Sequence, residues 1–74
     1  MAMKKFAAHS FIEKNGSITL WSDEAGTGSN GQTMQQAIAR TIESIELSFS
    51  LPPGSVAVEV AGPMPRTASK KLTF

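Results

Sequence analysis

Seventy-four residues, at about 100 to 200 per domain, amount to a single domain and leave no room for a second lobe that closes over a substrate. Seven Lys plus Arg against six Asp plus Glu give a net charge of +1, so no net field steers the chain onto nucleic acid or an acidic membrane. A hydrophobic content of 41% suits a folded globule, and the lack of cysteine removes disulfides, thiolate nucleophiles and thiolate metal sites.

Lys4 and Lys5 precede an apolar stretch that His9 and Ser10 interrupt and Glu13 and Lys14 close. That pattern predicts neither a secretory signal core nor a membrane span, and it points to the cytoplasm. Asn15-Gly16 is the preferred pair for a two-residue type I′ turn, which predicts a hairpin around it. Such a loop sets Phe11 opposite Leu20, Glu13 opposite Ile18 and His9 opposite Ser22 on one face. The other face then carries Ile12 opposite Thr19, Ser10 opposite Trp21, and Phe6 near the open end.

The segment Ala25-Gly-Thr-Gly-Ser-Asn-Gly31 reads as a flexible polar connector. After it the period changes: Met34, Ile38, Thr41, Ile42, Ile45 and Phe49 recur at threes and fours, with Gln35, Gln36, Arg40, Glu43 and Glu46 mostly opposite, which predicts one amphipathic helix. Ser29 with Gln32, or Thr33 with Gln36, supplies a capping box at its start, Arg40 and Glu43 can pair on its wet side, and Pro52-Pro53-Gly54 ends it. Val56, Val58 and Val60 alternate with Ala57, Glu59 and Ala61, the pattern of a half-buried strand, and Gly62-Pro-Met-Pro65 breaks it. Residues 66–74 form either a flexible tail or a fourth, edge strand guarded by Lys70 and Lys71. The expected fold class is α+β: a small two-layer sandwich in β-β-α-β order, residues 1–74 as one domain, with one helix packed on an antiparallel sheet.

Several motifs touch known chemistry. Gly26-Thr-Gly-Ser-Asn-Gly31 spells G-x-G-x-x-G, but a dinucleotide site also needs a parallel βαβ unit, a ribose-binding acid and a doubly wound sheet, for which the chain is too short. Extended to Thr33, it is one residue from a P-loop, with neutral Gln32 in place of the phosphate-binding lysine; only weak anion binding at the helix start stays open. Pro65-Arg-Thr-Ala-Ser-Lys-Lys-Leu72 resembles the P-R-T-x-S-G-K signature of acyl-adenylate-forming enzymes, where Lys71 would match the catalytic lysine. Lys70 replaces that signature's glycine, and the adenylate-binding domain has no counterpart in 74 residues, so ligase activity is not expected. His9 is the sole histidine, and Asp23 and Glu24 adjoin along one strand and so point apart. The expectation is a chain without enzymatic activity, metal or cofactor.

One helix roofs one sheet face. Burial of Phe11, Ile18 and Leu20 with the three valines makes the larger aliphatic core and leaves Phe6, Ile12 and Trp21 as an exposed apolar patch. With Arg66, Lys70 and Lys71 in the tail, these are the candidate partner-binding residues. In size and element order the chain resembles small phage-encoded inhibitors, certain anti-CRISPR proteins among them, which implies a module that occludes a larger protein or nucleoprotein complex. A homodimer that closes the uncovered face or pairs its edge strands is the alternative. Weak binding of single-stranded nucleic acid by Trp21 and basic ends is a third reading, disfavoured by the near-zero charge.

Overall fold

The computed structural model describes residues 3–62 and the backbone of residues 64 and 65; the candidate edge strand and Arg66, Lys70 and Lys71 lie outside the described residues. In chain order the elements are β1 (Lys4–Ile12), β2 (Ile18–Ser22), β3 (Thr27–Gly31), α1 (Met34–Phe49), β4 (Val56–Val60) and β5 (Met64–Pro65). The helix packs on one sheet of order β3-β2-β1-β4, with the short β5 also paired to β1. The class is α+β, as expected, but the sheet is mixed and not antiparallel. β1 pairs antiparallel with β2 and β2 with β3, while β4 and β5 run parallel to β1. The helix is the cause: α1 leaves β3 at one edge and delivers the chain to the far side of β1 in β1's own direction, the crossover that a parallel pair requires.

The hairpin forms, but one residue away from the expected register. Ile12 pairs with Ile18, Ser10 with Leu20 and His9 with Trp21. Glu13 N–H donates to the Ser17 carbonyl at 2.8 Å and Gly16 N–H to the Glu13 carbonyl at 3.0 Å, which closes a three-residue loop with Gly16 at φ 90°. A type I′ turn would need Asn15 at positive φ as well, and Asn15 is not there. Its Oδ1 instead accepts from Ser17 N at 3.0 Å and Ser17 Oγ at 2.7 Å, a local bond that favours the ordinary turn followed by a left-handed glycine.

A slip of one residue exchanges the faces of a strand. Phe6, Ala8 and Ser10 therefore point to the helix together with Leu20 and Ser22, and all five are buried. The grouping of Phe6, Ile12 and Trp21 on one exposed face is corrected accordingly. Phe6 is a core residue at 8% exposure. Ile12 has the same parity but emerges at the strand's end, and Trp21 lies on the opposite face. Nor do Phe11, Ile18 and Leu20 share a face: Leu20 is fully buried and Ile18 half-buried toward the helix, whereas half-buried Phe11 is on Trp21's side.

The expected connector is a strand. β3 pairs with β2 from Ile18↔Gly31 to Ser22↔Thr27. Its glycines are there for space: a Cβ on Gly28 would lie 1.9 Å from the Leu20 carbonyl oxygen, and one on Gly31 would lie 2.6 Å from Ala37 N. The strand geometry also removes the dinucleotide and phosphate-loop readings, which need this backbone as an open turn.

The helix matches its expected span. Thr33 is the N-cap, its hydroxyl accepting from Gln36 N at 3.1 Å, while Gln36 Oε1 accepts from Gln32 N at 2.9 Å. Arg40 does not pair with Glu43; its Nη1 donates to the Asn30 carbonyl at 3.0 Å and ties the helix to β3. At the other end Ser50 takes the left-handed conformation (φ 54°, ψ 43°) and Leu51 N–H reaches back to the Glu46 carbonyl at 2.8 Å, a Schellman-type stop. Ala37, Thr41 and Ile45 form the buried stripe. They complete two contiguous clusters: Phe6, Ile45 and Val56 with Ile42, Leu51 and Val58 around them, and Ala8, Leu20 and Ala37 with Ile18, Met34, Ile38 and Val60. Of the three buried hydroxyls among the described residues two are matched, and that of Thr41 is not. Ser10 Oγ donates to the Ala61 carbonyl at 2.9 Å where β4 ends, and Ser22 Oγ accepts from Ala25 N at 3.1 Å.

Candidate functional site

The helix roofs only the even-numbered face of β1. The odd-numbered face, with Lys5, Ala7, His9, Phe11 and Glu13 of β1 and its hairpin turn, Thr19 and Trp21 of β2, Gly28 and Asn30 of β3 and Ala57 and Glu59 of β4, has no layer over it among the described residues. Trp21 stands near the middle of this open face at 43% exposure. A whole tryptophan carries up to roughly 250 Å², so about 100 Å² of indole meets water.

Two side-chain sets hold the face. Trp21 Nε1 donates to Asp23 Oδ1 at 2.9 Å, and the other oxygen of that carboxylate lies 3.9 Å from His9 Nε2. Asp23 thus fixes the indole's orientation from the start of the turn after β2, while the exposed His9–Asp23 pair adds little to stability. On the hairpin side, Thr19 Oγ1 donates to Glu13 Oε2 and accepts from Asn30 Nδ2 at 2.9 Å; the same amide donates to Ser17 Oγ at 3.1 Å. This cross-strand network locks β1, β2 and β3 into one rigid surface and borders a shallow concavity of about 470 Å³ lined by Glu13, Lys14, Asn15, Ser17 and Asn30. Asp23 and Glu24 lie in the turn after β2 and not along the strand, and Glu24 Oε1 accepts from Ala7 N at 2.9 Å where β2 no longer covers β1.

The charge on this face is uneven. Among the described residues Glu13, Asp23 and Glu59 present carboxylates on or beside it, against Lys5, His9 and, at the hairpin, Lys14. The hydroxyls of Ser10 and Ser22 are buried on the opposite face from His9, and that of Thr19, on the same face, is engaged by Glu13 and Asn30. Among the described residues no group of three or more His, Cys, Asp or Glu is placed to hold a metal ion, and no helix is long and apolar enough to cross a membrane.

Of the six partner-binding residues expected from the sequence, Trp21 lies on the open face, Ile12 is exposed at 41% at the end of β1 with its side chain on the helix side, and Phe6 is in the core. His9, Phe11 and Asp23 were not expected to surround Trp21. The period-two alternation of β1 would place His9, Phe11 and Trp21 together once the hairpin is closed by three residues instead of two. No protein-family model, curated protein or solved structure matches this chain.

Proposed function

We propose that this chain is a small non-enzymatic protein-binding module whose open sheet face, centred on Trp21, covers part of a larger protein or nucleoprotein partner. The observation that carries the reading is an oriented, part-exposed tryptophan on a rigid sheet face that the helix does not roof. An indole already fixed by Asp23 loses little entropy on contact, which is the property of an interface anchor. The surrounding Asp23 and Glu59 favour a partner patch that combines an apolar socket with lysine or arginine over a phosphate backbone. Acting by occlusion follows from scale: a face of a few strands can cover a site on a larger assembly, as small phage-encoded inhibitors do.

The test is an affinity comparison. Complete removal of about 100 Å² of indole from water corresponds to about 2.5 kcal/mol at about 25 cal/mol per Å², so Trp21→Ala weakens partner capture by well over tenfold while the far-UV circular dichroism stays unchanged. A captured partner that binds Trp21→Ala as tightly as the native chain overturns the reading.

A further inference from the structure

We propose that the outer edge of β4 is a self-association site, at which a second copy of this chain adds its own β4 in antiparallel register about a two-fold axis through Val58. Lys4 N–H donates to the Ser55 carbonyl at 2.8 Å and Ala61 N–H to the Ala8 carbonyl at 2.9 Å. Those bonds fix the direction of the alternation: the odd-numbered backbone groups of β4 face β1, and the N–H and C=O groups of Val56, Val58 and Val60 face outward. β4 is the last strand in the sheet order, and no strand pairs with its outer side among the described residues. Within Val56–Val60 the edge carries no lysine and no proline, and Glu59 is its sole charge; beyond it the pairing with β1 resumes at Met64 one residue out of step, so the free edge is five residues long.

A second copy is the occupant because the strand is complementary to itself in one arrangement. With Val58 on the axis, Val56 meets Val60 of the second copy, and each outward-facing valine exchanges both backbone bonds with its opposite number. Ala57 then meets Glu59 of the second copy, so the two carboxylates never stand opposite each other; a parallel, in-register pairing would set Glu59 against Glu59. The core side gains too. Val58 and Val60 are only half-buried, and Phe49, whose ring centroid is 5.7 Å from that of Phe6, is 45% exposed. Phe6 is the ladder neighbour of Val58, so both Phe49 rings fall on the layer that flanks the new seam. The continuous sheet presents two Trp21 faces on one side, and the association itself does not use Trp21.

Sedimentation velocity on the full chain gives the first readout: the mean mass rises from 7.9 kDa toward twice that value between about 10 µM and about 1 mM. Ala57→Glu places a carboxylate opposite Glu59 at both ends of the seam and weakens the dimer about fivefold, whereas Ala57→Lys tightens it by a similar factor. Both substitutions lie outside the helix-facing core, so the monomer folds in either case. The register is read by oxidation, since the native chain has no cysteine: Ala57→Cys and Glu59→Cys cross-link rapidly when mixed and slowly when each is alone. A monomeric mass throughout that range, the same direction of change for both Ala57 variants, or equal cross-linking of the separate and mixed cysteine variants would overturn the proposal.

Discussion

Thr41→Val is the sharpest test of how the helix is seated. Thr41 is fully buried in the middle of the stripe formed by Ala37, Thr41 and Ile45, and its Oγ1 has no hydrogen-bond partner. In the unfolded chain that hydroxyl bonds to water; on folding it loses those bonds and gains none, a penalty of about 1–3 kcal/mol. Valine keeps the branched outline, replaces the hydroxyl by a methyl, and has nearly the same helix propensity as threonine. The expected gain is about 1–2 kcal/mol. For a domain of this size about 1 kcal/mol moves Tm by about 4–8 °C, so Thr41→Val should melt roughly 5–15 °C higher. Urea unfolding followed by far-UV circular dichroism gives the same quantity as a higher midpoint at an unchanged slope. Thr41→Ser, which keeps the hydroxyl and loses the methyl, should move the midpoint the other way. A Thr41→Val chain no more stable than the native one would mean that the hydroxyl is paired or solvated, and the account of this helix face would be wrong.

Two further perturbations test the third strand and the end of the helix. Gly28→Ala sets a Cβ against the Leu20 carbonyl at 1.9 Å, which β3 can accommodate only by leaving β2; a loss of more than about 2 kcal/mol in urea unfolding is expected, and a neutral effect would contradict the strand pairing. Ser50→Gly relieves the left-handed conformation at the helix stop and should stabilise by about 0.5–1 kcal/mol, whereas Ser50→Val should destabilise; no difference between the two by thermal melting would argue against that cap.

The helix was legible because its evidence is local and redundant: apolar residues at threes and fours, the Thr33–Gln36 cap and Pro52-Pro53-Gly54 after it agree on nearly the same boundaries. The valine strand was legible for a similar reason. β3 was not, since Thr27-Gly-Ser-Asn-Gly31 has no apolar alternation. Its strand character comes from what lies against it, the Leu20 carbonyl on one side and the helix start on the other, and a glycine that makes room for a neighbour spells the same as a glycine in a loose loop. The parallel pairing of β1 with β4 escaped too, because the two are some fifty residues apart and the helix between them sets the direction.

The hairpin shows how much can turn on one residue. Asn15-Gly16 serves two loops, one with both residues at positive φ and one with glycine alone, and the sequence favours the first by preference only. Asn15 bonding forward to Ser17 tips the choice to the second. That single step puts Phe6 under the helix, where its ring meets Phe49, and sets Trp21 beside His9 and Asp23 on the other side of the sheet. The expectation that Phe6, Ile12 and Trp21 would share one uncovered apolar face fails with it. What lies open is an oriented indole held by Asp23 beside His9, and under the proposed function such a surface would select a partner by charge as well as by shape. The same parity places Ala57 and Glu59 on the open face and the valines of β4 toward the core. A pair of copies joined along that edge would carry two aligned Trp21 surfaces, so any partner offering two matching sites would be held far more tightly than one offering a single site.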